Sequence, residues 1–281
     1  MKKILLPTDF SDISINAIHY ALELFKDIPC EFFLLNVFRI PYVTNEEFMG
    51  NDLGQLALLE EELHEASKKG MEEVLEVLPK NKRHKFNTIS DYNLFGNAVE
   101  NAVKERDIEL IVMGTKGATG AKEIFMGTNT GNVVLKTTSN LIAVPEHSSF
   151  KVPKEITFPT DFRISYDLED LGPLISLAEM YDSKIRILHL SDNEELDEEQ
   201  KHNKKILASF FINLKHSFHT LSNTDFEEAL NCFTQSRGNI DMIAIIARHY
   251  SFFQRLLFRP KVRELSFHTK IPLFVLHHLK E

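Results

Sequence analysis

The chain has 281 residues, 43% hydrophobic and 26% charged, a composition ordinary for a folded soluble protein and far from the disordered classes. Its 32 basic and 41 acidic residues leave a net charge of −9, which argues against nucleic acid or an anionic membrane as the main partner. The apolar runs are too short to span a bilayer. The two cysteines, Cys30 and Cys232, stand in apolar surroundings expected to bury them; they give no disulfide framework and fit a reducing, cytoplasmic compartment.

At this length about two domains are expected. The start, Met1-Lys2-Lys3, is basic but reaches Asp9 before a signal-peptide core develops. Lys3–Pro7 reads as a strand. A helix follows with Ile15, Ile18, Leu22 and Phe25 on one face and Ser11 as its N-cap. Glu31–Val37 is a strand buried on both faces. Residues 53–78 are a long amphipathic helix with an apolar stripe of Leu56, Leu59, Leu63, Met71, Val74, Leu75 and Leu78. Lys85–Ser90 is a strand, Asn97–Arg106 a helix, and Leu110–Met113 and Leu141–Val144 are two further strands. Strands without alternation, separated by helices, imply a parallel sheet covered on both faces.

The chain then repeats itself. Ile4-Leu5-Leu6-Pro7-Thr8-Asp9-Phe10 recurs as Ile156-Thr157-Phe158-Pro159-Thr160-Asp161-Phe162, and the end Asn140–Pro145 is matched by Lys270–Leu276. The second copy has strands at Glu155–Phe158, Lys184–Leu190, Asp241–Ile246 and Leu273–His277, and a weaker one near His216–Leu221. The segment between its second and third strands is shorter. The expected fold class is α/β: two tandem, doubly wound, parallel five-stranded sheets of Rossmann-like type, in domains 1–148 and 149–281.

The stretch Ile111–Asn132 carries the chemistry. A buried strand breaks at Gly114, and Gly117, Gly120 and Gly127 follow before a helical run. So many glycines beyond an apolar strand cost chain entropy. They suit a close approach of ligand to bare N–H groups near a helix N-terminus, which is an anion site. In open α/β sheets such loops converge beyond the carboxyl ends of the strands. Pro7, Thr8 and Asp9 follow the first strand, and Val37 ends the second. Asp9 suits hydrogen bonds from ribose or adenine, or simply caps the turn near Ser11.

Gly114-x2-Gly117-x9-Gly127-Thr128 resembles the Gly-x2-Gly-x9-Gly-Ser/Thr pattern of the ATP-binding universal stress proteins, a branch of the adenine nucleotide α-hydrolase-like folds. The resemblance implies ATP, with Mg2+, as ligand. It assigns adenine and ribose to Asp9 and the Val37 backbone, ribose to Met113 and Gly114, and the phosphates to Lys116, Gly117, Gly127, Thr128 and Asn129. Lys116 stands where many members carry Arg, so the phosphate contact is a point charge rather than a fork. The resemblance further implies a tandem pseudo-dimer joined by its last strands, a form compatible with a homodimer of tandem chains. The role would be nucleotide-dependent stress signalling through protein partners that the sequence does not name.

The second copy departs from this pattern. Ala247 is expected at the position of Gly114, Arg248–Phe253 holds no glycine, and Arg259-Pro260 replaces Gly127-Thr128. It is therefore expected not to bind ATP. No residue in the motif is an obvious general base or metal-holding carboxylate, so at most slow ATP hydrolysis is expected. His216-x-x-His219, His268, His277 and His278 have no Cys or carboxylate in register for a metal site. The alternatives are an ATP-using enzyme of the α-hydrolase group, disfavoured because Pro7–Asp12 lacks that group's Ser-Gly-Gly loop, and a nucleotide-free interaction scaffold.

Overall fold

The computed structural model describes residues 1–40, 53–115, 128–191, 195–222, 226–247 and 271–277. In chain order the first half holds β1 (Lys2–Pro7), α1 (Asp12–Leu24), β2 (Cys30–Phe38), α2 (Leu53–Val77), β3 (His84–Tyr92), α3 (Phe95–Arg106), β4 (Leu110–Gly114), α4 (Thr128–Lys136) and β5 (Asn140–Val144). The second half holds β6 (Glu155–Thr160), α5 (Leu168–Tyr181), β7 (Lys184–Ser191), α6 (Glu198–Phe210), β8 (Lys215–Ser222), α7 (Phe226–Arg237), β9 (Met242–Ile246) and β10 (Leu273–Leu276). The weaker strand expected near His216 is present as β8.

The two half-sheets fuse into one ten-stranded sheet of order β3-β2-β1-β4-β5-β10-β9-β6-β7-β8. Each half is parallel throughout. They meet antiparallel, with Leu273 opposite Ala143 and Val275 opposite Leu141. Two separate sheets would each leave an apolar last strand as an open edge; pairing β5 with β10 closes both. Across this seam the Tyr181 hydroxyl donates to the carbonyl of Leu24, and the His277 N–H donates to Asn140 Oδ1 at 3.0 Å.

The central strands are buried on both faces, which explains their unbroken apolar runs. Ile4, Leu6, Phe32, Leu34 and Val112 point into one core with α1 and α2. Leu5, Phe33, Leu35, Ile111 and Met113 point into the other with α3 and α4. Helix α1 begins as read: the Ser11 side chain accepts from the Ser14 N–H.

Two expectations are corrected. The stripe of α2 is buried only in its C-terminal half, at Met71, Val74 and Leu78; Leu59 is exposed, as is its neighbour Leu58. At 25 residues α2 is about 37 Å long, whereas the nine-residue β3 beneath it spans about 30 Å, so its first turns extend beyond that strand. Cys30 is buried, but Cys232 is exposed on α7.

Candidate nucleotide crevice

In the first half, β1 pairs with β2 on one side and β4 on the other. The direction of winding reverses between β1 and β4, so a crevice opens beyond their carboxyl ends. Its walls on the described chain are Pro7–Ser11, Val37, and Gly114–Thr115 with the start of α4.

The turn after β1 is tightly held. Phe10 takes a left-handed φ of 64°, a strained choice for an aromatic residue. Its N–H donates to Thr8 Oγ1 at 3.0 Å. Thr8 Oγ1 also hydrogen-bonds Ser14 Oγ at 3.0 Å, and the Thr8 carbonyl accepts from the Asn36 amide at 2.8 Å. Asp9 lies exposed at the mouth, where its Oδ1 accepts from the Ser11 N–H and hydroxyl. Its carboxylate is thus aimed by the same serine that caps α1.

On the opposite wall Met113 is buried in the core beneath the crevice. Gly114 ends β4. A Cβ there would sit 2.6 Å from Ile13 Cγ2 and 3.2 Å from the Ile13 carbonyl oxygen. Its missing side chain is therefore what lets the first turn of α1 close onto β4, a packing role beside any ligand role. Thr130, buried in the first turn of α4, donates its hydroxyl to the Gly114 carbonyl at 3.1 Å and ties the helix start to the strand end. The backbones of Thr128 and Asn129 open α4. Lys116, Gly117 and Gly127 lie outside the described residues.

Thr130, Asn36, Ser14 and Ile13 escaped the sequence reading. Asn36 was detectable as a polar residue inside the apolar run of β2, since a buried amide must find a partner.

The repeat allows the same place in the second half to be read residue by residue. Setting Pro7 on Pro159 puts Thr8 on Thr160, Phe10 on Phe162 and Ser14 on Tyr166. Phe162 repeats the left-handed turn at φ 57°, and its N–H again donates to the threonine, at 2.9 Å. The Tyr166 hydroxyl replaces that of Ser14 against Thr160 Oγ1. His189 replaces Asn36, with Nδ1–H donating to the Thr160 carbonyl at 3.2 Å.

Pairing in the sheet corrects the expected register of β9. Ile156 lies opposite Met242 as Ile4 lies opposite Leu110, and the Ala247 N–H bonds Leu276 O as the Thr115 N–H bonds Val144 O. Ile246, not Ala247, thus stands at the place of Gly114. A β-branched side chain fits there because α5 starts at Leu168, about one helical turn later in the repeat than α1. Phe162 is fully buried whereas Phe10 is 37% exposed.

The turn after β1 and Gly114 at the end of β4 thus sit at a switch point in the first half. A model of the universal stress protein family matches residues 1–145. The chain belongs to that family. Universal stress protein MJ0577 of Methanocaldococcus jannaschii is 30% identical over 162 residues, covering 53% of this chain and 97% of that one. Universal stress protein YxiE of Bacillus subtilis is 28% identical over 130 residues, 44% of this chain and 86% of its own. A crystal structure of a universal stress protein from Archaeoglobus fulgidus superposes over 98% of both chains with a TM-score of 0.63 at 16% identity, a likeness of fold alone. Among the described residues of this universal stress protein no helix is long and apolar enough to cross a membrane. No group of three or more His, Cys, Asp or Glu side chains there could hold a metal ion.

Proposed function

We propose that the protein is a cytoplasmic stress-response protein that binds ATP with Mg2+ in its first domain, residues 1–148, and that the second domain, residues 149–281, is a non-binding partner. The observation that carries this reading is the contrast between the two switch points. One ends β4 in Gly114 and leaves Asp9 exposed, with the Gly-x2-Gly-x9-Gly-Thr spacing in the chain that follows. The other holds Ile246 and the phenol of Tyr166 at the matching places.

In this reading Asp9, oriented by Ser11, addresses the ribose and adenine together with the Val37 backbone. Thr8 and Pro7 fix the turn that carries it. Lys116 and the N–H groups from Gly117 to Asn129 receive the phosphates, helped by the positive end of α4. Bound nucleotide would serve as a conformational signal to protein partners, with at most slow hydrolysis.

Calorimetric titration of the full chain with Mg-ATP tests this. One site per chain is expected. Gly117→Val should abolish it, because a Cβ would enter the phosphate path, while the melting curve without ligand stays unchanged. Undiminished affinity in that variant, or a second equal site, would overturn the reading.

A further inference from the structure

The repeat also exposes a place where the second half has lost core rather than gained it. Helix α6 occupies the position of α2 over the next strand. Ser67 and Gln200, Val74 and Leu207, and Leu78 and Phe211 are matching buried positions on the two helices. In this alignment Met71, 1% exposed beneath α2, is replaced by Lys204, and Leu75, packed against the same core, is replaced by Ala208. Two large apolar side chains have become a cation and a methyl group.

Beside Lys204 and Ala208 lies an open cleft of about 640 Å³, lined by α6, Leu196 before it and Phe218 of the edge strand β8. Its apolar lining is Leu196, Ala208 and Phe218; Lys201, Lys204 and Lys205 supply three cations, beside His202 and the single carboxylate of Glu198. The Lys204 ammonium lies 4.9 Å from the centre of the Phe218 ring, which holds that charge over the floor by cation–π attraction. Lys201 pairs with Glu198 of its own helix, at 2.7 Å, an exposed pair that a ligand can displace at little cost. A concave site of a few hundred Å³ with an apolar floor and convergent charges is the usual form of a small-molecule pocket.

We propose that this cleft is a second binding site, separate from the nucleotide crevice and independent of it, for a small amphipathic anion. The aryl or acyl body of the ligand lies on Leu196, Ala208 and Phe218, and its carboxylate, sulfonate or phosphate meets the three lysines. The whole molecule carries −9, so a polyanionic surface is repelled at long range. A single small anion is attracted by the local cluster once it is inside the cleft.

The test uses two probes on the full chain: anilinonaphthalene sulfonate, followed by its fluorescence, for an aryl body, and decanoate, followed by calorimetry, for an acyl body. Saturable binding of at least one with a Kd of about 0.1 mM or tighter is expected; which one binds identifies the body. Decanol, with the same chain and no charge, should bind about tenfold more weakly or not at all. Excess Mg-ATP should leave the probe in place. Ala208→Leu, which restores the side chain of the first half, should weaken binding about tenfold by filling the cleft. Lys204→Met, the other first-half residue, should do so by removing the charge, with circular dichroism confirming that both variants fold. Absence of saturable binding by either probe overturns the proposal. So does displacement by ATP, or equal affinity in both variants.

Discussion

The two crevices of this chain are built on one turn, yet they differ in what fills them. In both, a threonine hydroxyl receives the N–H of a left-handed phenylalanine, and a polar side chain from the neighbouring strand clamps the threonine carbonyl. The first keeps a small set: Ser14, Gly114 and the exposed Asp9. The second substitutes larger groups, Tyr166 and Ile246, and turns its phenylalanine into the core. The same strained turn is therefore kept with either filling, because it is held by its own hydrogen bonds.

The most damaging way to probe this contrast is to exchange the residues that end the two strands. Gly114→Ile should cost about 3 kcal/mol, since Ile13 already occupies the space of the new Cβ and its backbone cannot yield cheaply. The reverse change, Ile246→Gly, should cost a similar amount by leaving a cavity. Chemical denaturation reads both. A Gly114→Ile protein of unchanged midpoint would mean that α1 does not close on β4 as described.

Burial gives the second half a pH-dependent effect. Burial pushes His277 down to about 4, and burial likewise lowers His189. As pH falls below 6.5 the unfolded chain takes up protons at these positions while the folded one does not. Stability is thus fully present above pH 6.5 and is lost progressively towards pH 4, by up to about 3 kcal/mol from His277. His277→Leu should flatten that slope in melts across this range; an unchanged slope would assign it to other groups.

The smallest effect separates the caps. Ser11→Ala and Asp167→Ala each remove a side-chain acceptor at a helix start and should each cost about 1 kcal/mol. Only Ser11 also holds the Asp9 carboxylate, so only Ser11→Ala should weaken Mg-ATP in calorimetry. Equal, unweakened affinity in both variants would remove Asp9 from the site.

Much of this was readable beforehand. The central strands announced themselves by short apolar runs, because a strand buried on two faces cannot hide its composition, whereas β8, a half-exposed edge strand, was read only weakly. The Ser11 cap follows from local chemistry that needs no tertiary context. The failures share a cause. The exposed start of α2 carries the right periodicity but no partner surface among the described residues, and Cys232 sits on the outer side of a helix whose orientation depends on what it packs against. Ala247 was matched to Gly114 by the order of residues, whereas strand pairing sets the register one residue earlier, at Ile246.

What the sequence determined alone was the class of fold, its duplication, and a glycine-spaced loop on one copy only, since periodicity and backbone freedom are properties of residues in order. What the tertiary structure decided was which side chains meet. It fused two half-sheets through β5 and β10, set Ile13 against Gly114, put a phenol where the first half has a serine, and opened a cleft under α6. Those outcomes depend on distances between residues far apart in the chain, and such distances are fixed only when helices and strands pack together.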